Sequence, residues 1–144
     1  MLSVRKIALE FIELFPQNKV DYEAHVEDYS KLLGHVFFGD VINIPFTYFL
    51  KSGANEEKNK KYANFIEHML NDGNDRVKDI VYATILEYLG DDEAVLRNAY
   101  NYFSDRLVDV SAQVEKIIGR REVIISYENG KRCVEFKNLI PRVK

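Results

Sequence analysis

The chain has a single cysteine in 144 residues, Cys133, so no disulfide can close within it. That excludes a small bridge-held secreted scaffold and makes a reducing cytoplasm the expected compartment. No apolar run approaches the roughly 20 residues that span a bilayer, so no membrane partner is expected. The N-terminal stretch MLSVRKIALEFIELF is interrupted by Glu10 and Glu13, and no small-residue cleavage site follows it. It reads as an amphipathic helix, not a leader. Glycine-rich phosphate loops are missing too. The nearest candidate, Asn71-Asp72-Gly73-Asn74-Asp75, is acidic and would repel phosphate. It also lacks the spaced ligands and terminal glutamate of a calcium loop. The three histidines, His25, His35 and His68, include no pair at the spacing that brings two imidazoles to one metal from one helix face. No Glu-x-x-His occurs, and no serine stands in a nucleophile-elbow context. Cys133 falls on the polar face of a predicted hairpin, where a small strand residue is its plain reading. These absences lead to the expectation that the protein is not an enzyme and takes no metal or cofactor.

What is present is a core. Apolar residues make up 47% of the chain and aromatics 12%, which suits one folded domain over residues 1–144. Residues 1–118 read as helices. Ser3 caps a first helix with Ile7, Phe11, Leu14 and Phe15 on one face, and Pro16 ends it. A second runs from Val20 or Asp21 to about Leu33, with Gly34 as its stop. Residues 35–50 are dense in β-branched and aromatic side chains, but Pro45 argues against a central strand. A short helix from about Gly39, kinked or restarted at Pro45, is the expectation. There the Gly39-Asp40 step predicts that Asp40 caps the helix and that His35 bonds locally. A further helix carries Tyr62, Phe65, Ile66, Met69 and Leu70. The central stretch from Asn74 to Leu89 has Val77, Ile80, Val81, Ile85, Tyr88 and Leu89 on one face. Tyr82, Ala83 and Leu86 form a second face, so cover on both sides is expected. Gly90-Asp91-Asp92 turns the chain into a long last helix, Asp92 to Ile118, with a break near Asp109–Ser111.

After Gly119 the period changes to two. EVIISY and RCVEFK flank Asn129-Gly130, the strongest short hairpin signal. A two-residue turn pairs Glu128 with Lys131, Tyr127 with Arg132, Ile125 with Val134 and Val123 with Phe136. The expected architecture is mainly α: five to seven stacked antiparallel helices, resembling HEAT-like helical hairpins, closed by a C-terminal β-hairpin and tail over residues 119–144.

The net charge of −3 is unevenly distributed. Residues 119–144 hold Arg120, Arg121, Lys131, Arg132, Lys137, Arg142 and Lys144 against three acids. Residues 71–93 hold seven acids against Arg76 and Lys78. Helix capping explains part of the acidity. The sharper reading makes Asp72, Asp75, Asp79, Asp91, Asp92 and Glu93 a face for a basic partner, with Tyr100 and Tyr102 as exposed anchors. On the second helix Asp21, His25 and Asp28 share a face, either a solvated one or one that meets a partner. The basic C-terminal segment, with Tyr127 and Phe136, makes nucleic-acid binding a third and weaker reading through Arg120, Arg121, Lys131 and Arg132.

Leu14-Phe15-Pro16, Tyr22, His25, Glu27-Asp28 and the block His35-Val36-Phe37-Phe38-Gly39-Asp40 resemble a family of small, mostly helical bacterial proteins of uncharacterised function. The FIEHML and ILEYLGDD segments look like helices of the same family, so the resemblance covers about residues 10–95. It implies a helical fold and supplies no activity. In size, charge and helicity the chain is similar in class to immunity proteins. The leading expectation is therefore a cytoplasmic protein that blocks a basic toxin domain, such as a nuclease, by direct contact. The alternative is a generic helical scaffold for protein interactions.

Overall fold

A computed structural model describes residues 1–53 and 55–139, which form seven helices and a two-stranded antiparallel hairpin. Helix α1 is Val4–Leu14, capped by Ser3, whose hydroxyl accepts the Lys6 N–H at 3.2 Å. It buries Ile7, Ala8 and Phe11, and Phe15 follows into the core, but Leu14 is half exposed. Pro16–Asn18 makes one tight turn and leads into α2, Lys19–Tyr29.

Helix α2 stops four residues before the expected Leu33. Ser30 takes a left-handed conformation, φ 59, and Gly34 starts the next helix instead of closing this one. His25 supports the exit, because its Nε2 accepts the Leu33 N–H at 2.9 Å. Helix α3 is continuous through the segment that is hardest to assign from sequence. It runs as Gly34–Phe38, a π-helical turn Gly39–Asn43, and Ile44–Ser52. Pro45 has no N–H for the α-helical ladder and its ring crowds the preceding turn, which accounts for the widened bonding just before it. Asp40 therefore lies inside a helix and caps nothing, contrary to expectation.

Helix α4, Glu56–Asp72, buries all five residues of its expected apolar face. Helix α5 runs as Asp75–Asp79, a second π-helical stretch Ile80–Leu86, and Glu87–Leu89, and Asn74 caps it through the Val77 N–H at 3.0 Å. The long last helix is two helices. Helix α6 is Glu93–Tyr100 and α7 is Asp105–Ile117. They part at 101–104, not at 109–111, because Ser104 caps α7 through the Leu107 N–H at 3.2 Å. Glu67 of α4 holds the Ser104 hydroxyl and its backbone N–H.

Strands β1, Arg121–Glu128, and β2, Lys131–Asn138, pair in the expected register, from Glu128 opposite Lys131 to Val123 opposite Phe136. Asn129 and Gly130 are both left-handed, φ 52 and 77, as a two-residue primed turn requires. Val123, Ile125, Val134 and Phe136 pack on the helical core, while Tyr127 on the same face is exposed. No helix among the described residues is long and apolar enough to cross a membrane.

The core is one cluster centred on aromatic rings. Phe11 stacks on Phe15 at 4.4 Å and meets Phe37, Phe38 and Phe65 edge-on at 6.3, 5.8 and 5.0 Å, joining α1, α3 and α4. On the surface beside it, His68 bonds Glu10 of α1 at 2.7 Å and Asp72 at 2.8 Å. Burial alone would lower the imidazole pKa; the hydrogen bonds and charges of the two carboxylates outweigh it and raise it above the usual 6.5. This clip is thus at full strength below about pH 6.5 and is lost as pH rises through the raised folded value. His68→Gln should lower the melting temperature at pH 6 and change it little at pH 9. Equal losses at both values would contradict the assignment.

Candidate functional site

A groove of about 910 Å³ lies where the turn after α2 and the start of α3 meet the first turns of α1 and α5. Val4, Leu32, Leu33 and Ile80 give it an apolar floor, and Asp75 and Asp79 stand on its rim with Lys31 and Arg76. Gly34 permits the close approach beneath it, since a Cβ there would meet Ile80 and Val4 side-chain carbons at 2.7 Å.

His35 projects from the rim. Its Nδ1 lies 2.5 Å from the Thr84 hydroxyl, and its Nε2 lies 3.4 Å from Asp79. Both partners come from α5, so the expected local bonding of His35 is corrected to a bridge between helices. Behind it the two π-helical turns pack together. Asn43, 4% exposed, donates to the Thr84 carbonyl at 3.1 Å, and Gly39 lies against the Thr84 methyl. The Thr84 carbonyl thus accepts both the Glu87 N–H of its own helix and the buried Asn43 amide, which ties the two widened turns together. Hydroxyl, imidazole and carboxylate thus stand in sequence, with His35 and Asp79 both exposed and Asp79 beyond ordinary hydrogen-bond length.

The acidic candidates separate into two groups. Asp72 ends α4 and Asp75 and Asp79 lie in the first turns of α5, whereas Asp91, Asp92 and Glu93 lie beyond its other end, about 22 Å away along the helix axis. Asp72 is bonded to His68, Asp79 neighbours His35, Asp91 pairs with Arg120 at 2.7 Å, and Asp92 caps α6 through the Ala94 and Val95 N–H groups. The groove brings together Asp75 and Asp79 only. Tyr100 is not an exposed anchor. It is 3% exposed, its hydroxyl bonds Ser111 at 2.8 Å, and burial pushes its pKa up to about 12. Tyr102 is half buried against the core.

The basic segment is mostly engaged inside the protein. Glu115, 0% exposed, accepts from both Arg120 and Arg121. Arg120 also reaches Asp91 and the Glu87 carbonyl, and Arg121 the Gly90 carbonyl at 2.7 Å. Arg132 bonds Asp105 at 2.6 Å and closes the end of α6 through the Tyr100 and Phe103 carbonyls at 2.6 and 2.8 Å. Lys131 and Lys137 stand opposite Glu128 and Glu122. The continuous cationic surface expected of a nucleic-acid module does not form among the described residues; Arg142 and Lys144 lie outside them.

The expected second apolar face of α5 is covered only in part. Leu86 is buried, but Tyr82 and Ala83 are exposed and line a shallow groove against Val110, Val114, Ile117 and Ile118 of α7 and the turn after it.

Comparison with curated proteins and with solved structures gave no match. A family profile described as a domain of unknown function matches residues 8–119, which runs from within α1 through α7 and leaves out the hairpin. The chain belongs to that family, DUF7674.

Proposed function

We propose that the chain is a cytoplasmic binding protein that neutralises a toxin domain by direct contact, in the manner of immunity proteins. One observation carries this reading. Arg120, Arg121 and Arg132, which could have attracted a polyanion, are tied into the fold, whereas on the rim of the 910 Å³ groove Asp75 has no ionic partner among the described residues and Asp79 has only the exposed His35, at 3.4 Å. A partner that acts on nucleic acid is itself basic, and an acidic rim speeds encounter with it. The apolar floor then supplies a pocket for an anchoring side chain. Under this reading the Thr84–His35–Asp79 chain is a contact between helices, with no turnover to lose.

The test is co-expression with the product of the adjacent gene. Growth in the presence of a toxic neighbour is the expected result, and failure to protect would remove the immunity reading. The alternative, a helical scaffold that docks a second copy of itself, is favoured by the apolar strip of Tyr82, Ile117 and Ile118, the second of these 83% exposed. A monomer in sedimentation equilibrium at micromolar concentration would remove that alternative. Variants of Arg120 or Arg121 are unsuitable as tests of nucleic-acid binding, because they would disrupt the fold.

A further inference from the structure

The hairpin register fixes which backbone groups of β1 are already bonded. A two-residue turn makes Glu128 and Lys131 a hydrogen-bonded pair, so Glu122, Ile124, Ser126 and Glu128 turn their N–H and C=O groups toward β2. Those of Val123, Ile125 and Tyr127 point the other way, and no other backbone group among the described residues bonds them. The outer edge of β2 is engaged at its centre. Arg97 of α6 donates to the Val134 carbonyl at 3.1 Å, and its guanidinium lies over the Phe136 ring at 4.5 Å.

The edge of β1 also lacks the guards that keep natural edge strands from pairing, which are lysine, proline or a bulge. Residues 122–128 contain no lysine and no proline, and their pairing with β2 runs unbroken, whereas β2 carries Lys131, Arg132 and Lys137. Val123, Ile124, Ile125 and Tyr127 are strong strand formers, and Ile124 and Tyr127 are 40% and 57% exposed. At the base of the edge a pocket of about 390 Å³ opens between β1 and α7, lined by Ala112, Gln113, Lys116, Arg121 and Val123 among others. Arg121, 5% exposed, calls for an acceptor there, because its Nε is a buried donor with no partner among the described residues.

Charge selects the occupant. Residues 122–128 hold two acids and no cation, and Asp109, exposed on α7, adds to the negative field around Tyr127. A second copy paired β1 to β1 with full overlap would set Glu122 against Glu128 at both ends, which is unfavourable. A basic strand is favoured, and β2 shows its form, with Lys137 opposite Glu122 and Lys131 opposite Glu128. Direction follows from the base of the edge. An antiparallel strand ends there, where Lys116 and Arg121 suit a terminal carbonyl better than an N–H end. We propose that the outer edge of β1 takes up an extended basic segment of a protein partner as a third, antiparallel strand. Its backbone bonds the outward groups of Val123, Ile125 and Tyr127, two cations stand opposite Glu122 and Glu128, and an apolar residue covers Ile124. The inference rests on the binding-protein reading for the source of the segment; the chemistry of the edge stands apart from it.

The experiment is an NMR titration of the purified chain with acetyl-Lys-Val-Thr-Val-Ile-Thr-Lys-amide, whose lysines fall opposite Glu128 and Glu122. Saturable shifts along β1 are expected, with slowed hydrogen exchange at the Val123, Ile125 and Tyr127 amides. N-methylation of the central valine, which faces Ile125, should abolish binding. N-methylation of the isoleucine after it, whose N–H points away from β1, should not. The double variant Glu122→Gln/Glu128→Gln should weaken binding about twofold to thirtyfold, the range for two cross-strand ion pairs. Both carboxylates are exposed, so an unchanged melting temperature should show that the variant folds. Ile124→Lys, which puts a guard residue on the edge, should weaken binding independently. Absence of protection at the three amides, equal binding of the valine-methylated peptide, or indifference to both variants would overturn the proposal. Protection that grows with protein concentration and needs no peptide would mean that a second copy fills the edge, and would overturn it too. No partner is needed for these measurements. A chain that binds the peptide but fails to protect cells would refute the immunity reading alone.

Discussion

Replacing Glu115 by alanine is expected to destabilise the protein by about 3–5 kcal/mol, the range for removing one partner of a buried ion pair. Glu115 is 0% exposed and is the shared acceptor of two guanidinium groups that enter from the start of the hairpin. Without it Arg121, 5% exposed, would keep its charge beside only the Gly90 carbonyl and the ring of Phe136, and its Nε already lacks a partner. Two positive charges would then be crowded together at the joint between α7 and β1. Glu115→Gln, which keeps the shape, should fall between wild type and alanine. Gly90→Ala attacks the same joint from outside, since its Cβ would clash with Arg120 Nη2 and Glu115 Oε2. Urea unfolding measures all three. A loss below about 1 kcal/mol for Glu115→Ala would mean that the network is solvated and does not fasten the hairpin.

Phe11→Ala should cost a comparable amount, about 3–5 kcal/mol, through lost burial and the cavity left behind. Phe11 is fully buried and touches rings from α1, α3 and α4, so no single element can shift to fill its place. By contrast, Tyr82→Ala on the exposed face of α5 should stay within about 0.5 kcal/mol. A small loss at Phe11 would indicate a core able to collapse around the void, and would argue against the rigid aromatic junction described above.

The parts of the fold that sequence revealed are those with local causes. The hairpin register follows from Asn129-Gly130 and strict alternation, and every expected pair forms. The buried face of α4 follows from helical spacing alone. The break between α6 and α7 is legible as a break but falls at 101–104 instead of near Asp109–Ser111, because apolar positions continue across it, although Ser104-Asp105 is a capping signal with an acid in the first turn. Tyr100 was misassigned to the surface despite a readable pattern: Leu96, Ala99, Tyr100 and Phe103 fall at helical spacing on the buried side. The π-helical turns had only Pro45 as a sign, and the stretch in α5 had none. The ion pairs were illegible for another reason. Arg120 meets an acid 29 residues away and Arg132 one 27 residues away, so charge counting saw a basic segment where the fold makes neutral joints. The same limit applies to the groove. Asp79 and His35 come together only once α3 and α5 are packed.

The central claim is that the acidic groove is the working surface and that the cations of the hairpin are structural. The most direct test is the association rate of the chain with the purified product of the adjacent gene, measured across salt concentration for wild type and for Asp75→Lys/Asp79→Lys. The account predicts association that is slowed by reversal and a salt dependence that is flattened, with the melting temperature little changed. Asp92 is left intact because it caps α6. Wild-type and variant rates that agree at every salt concentration, in a variant shown to be folded, would contradict it.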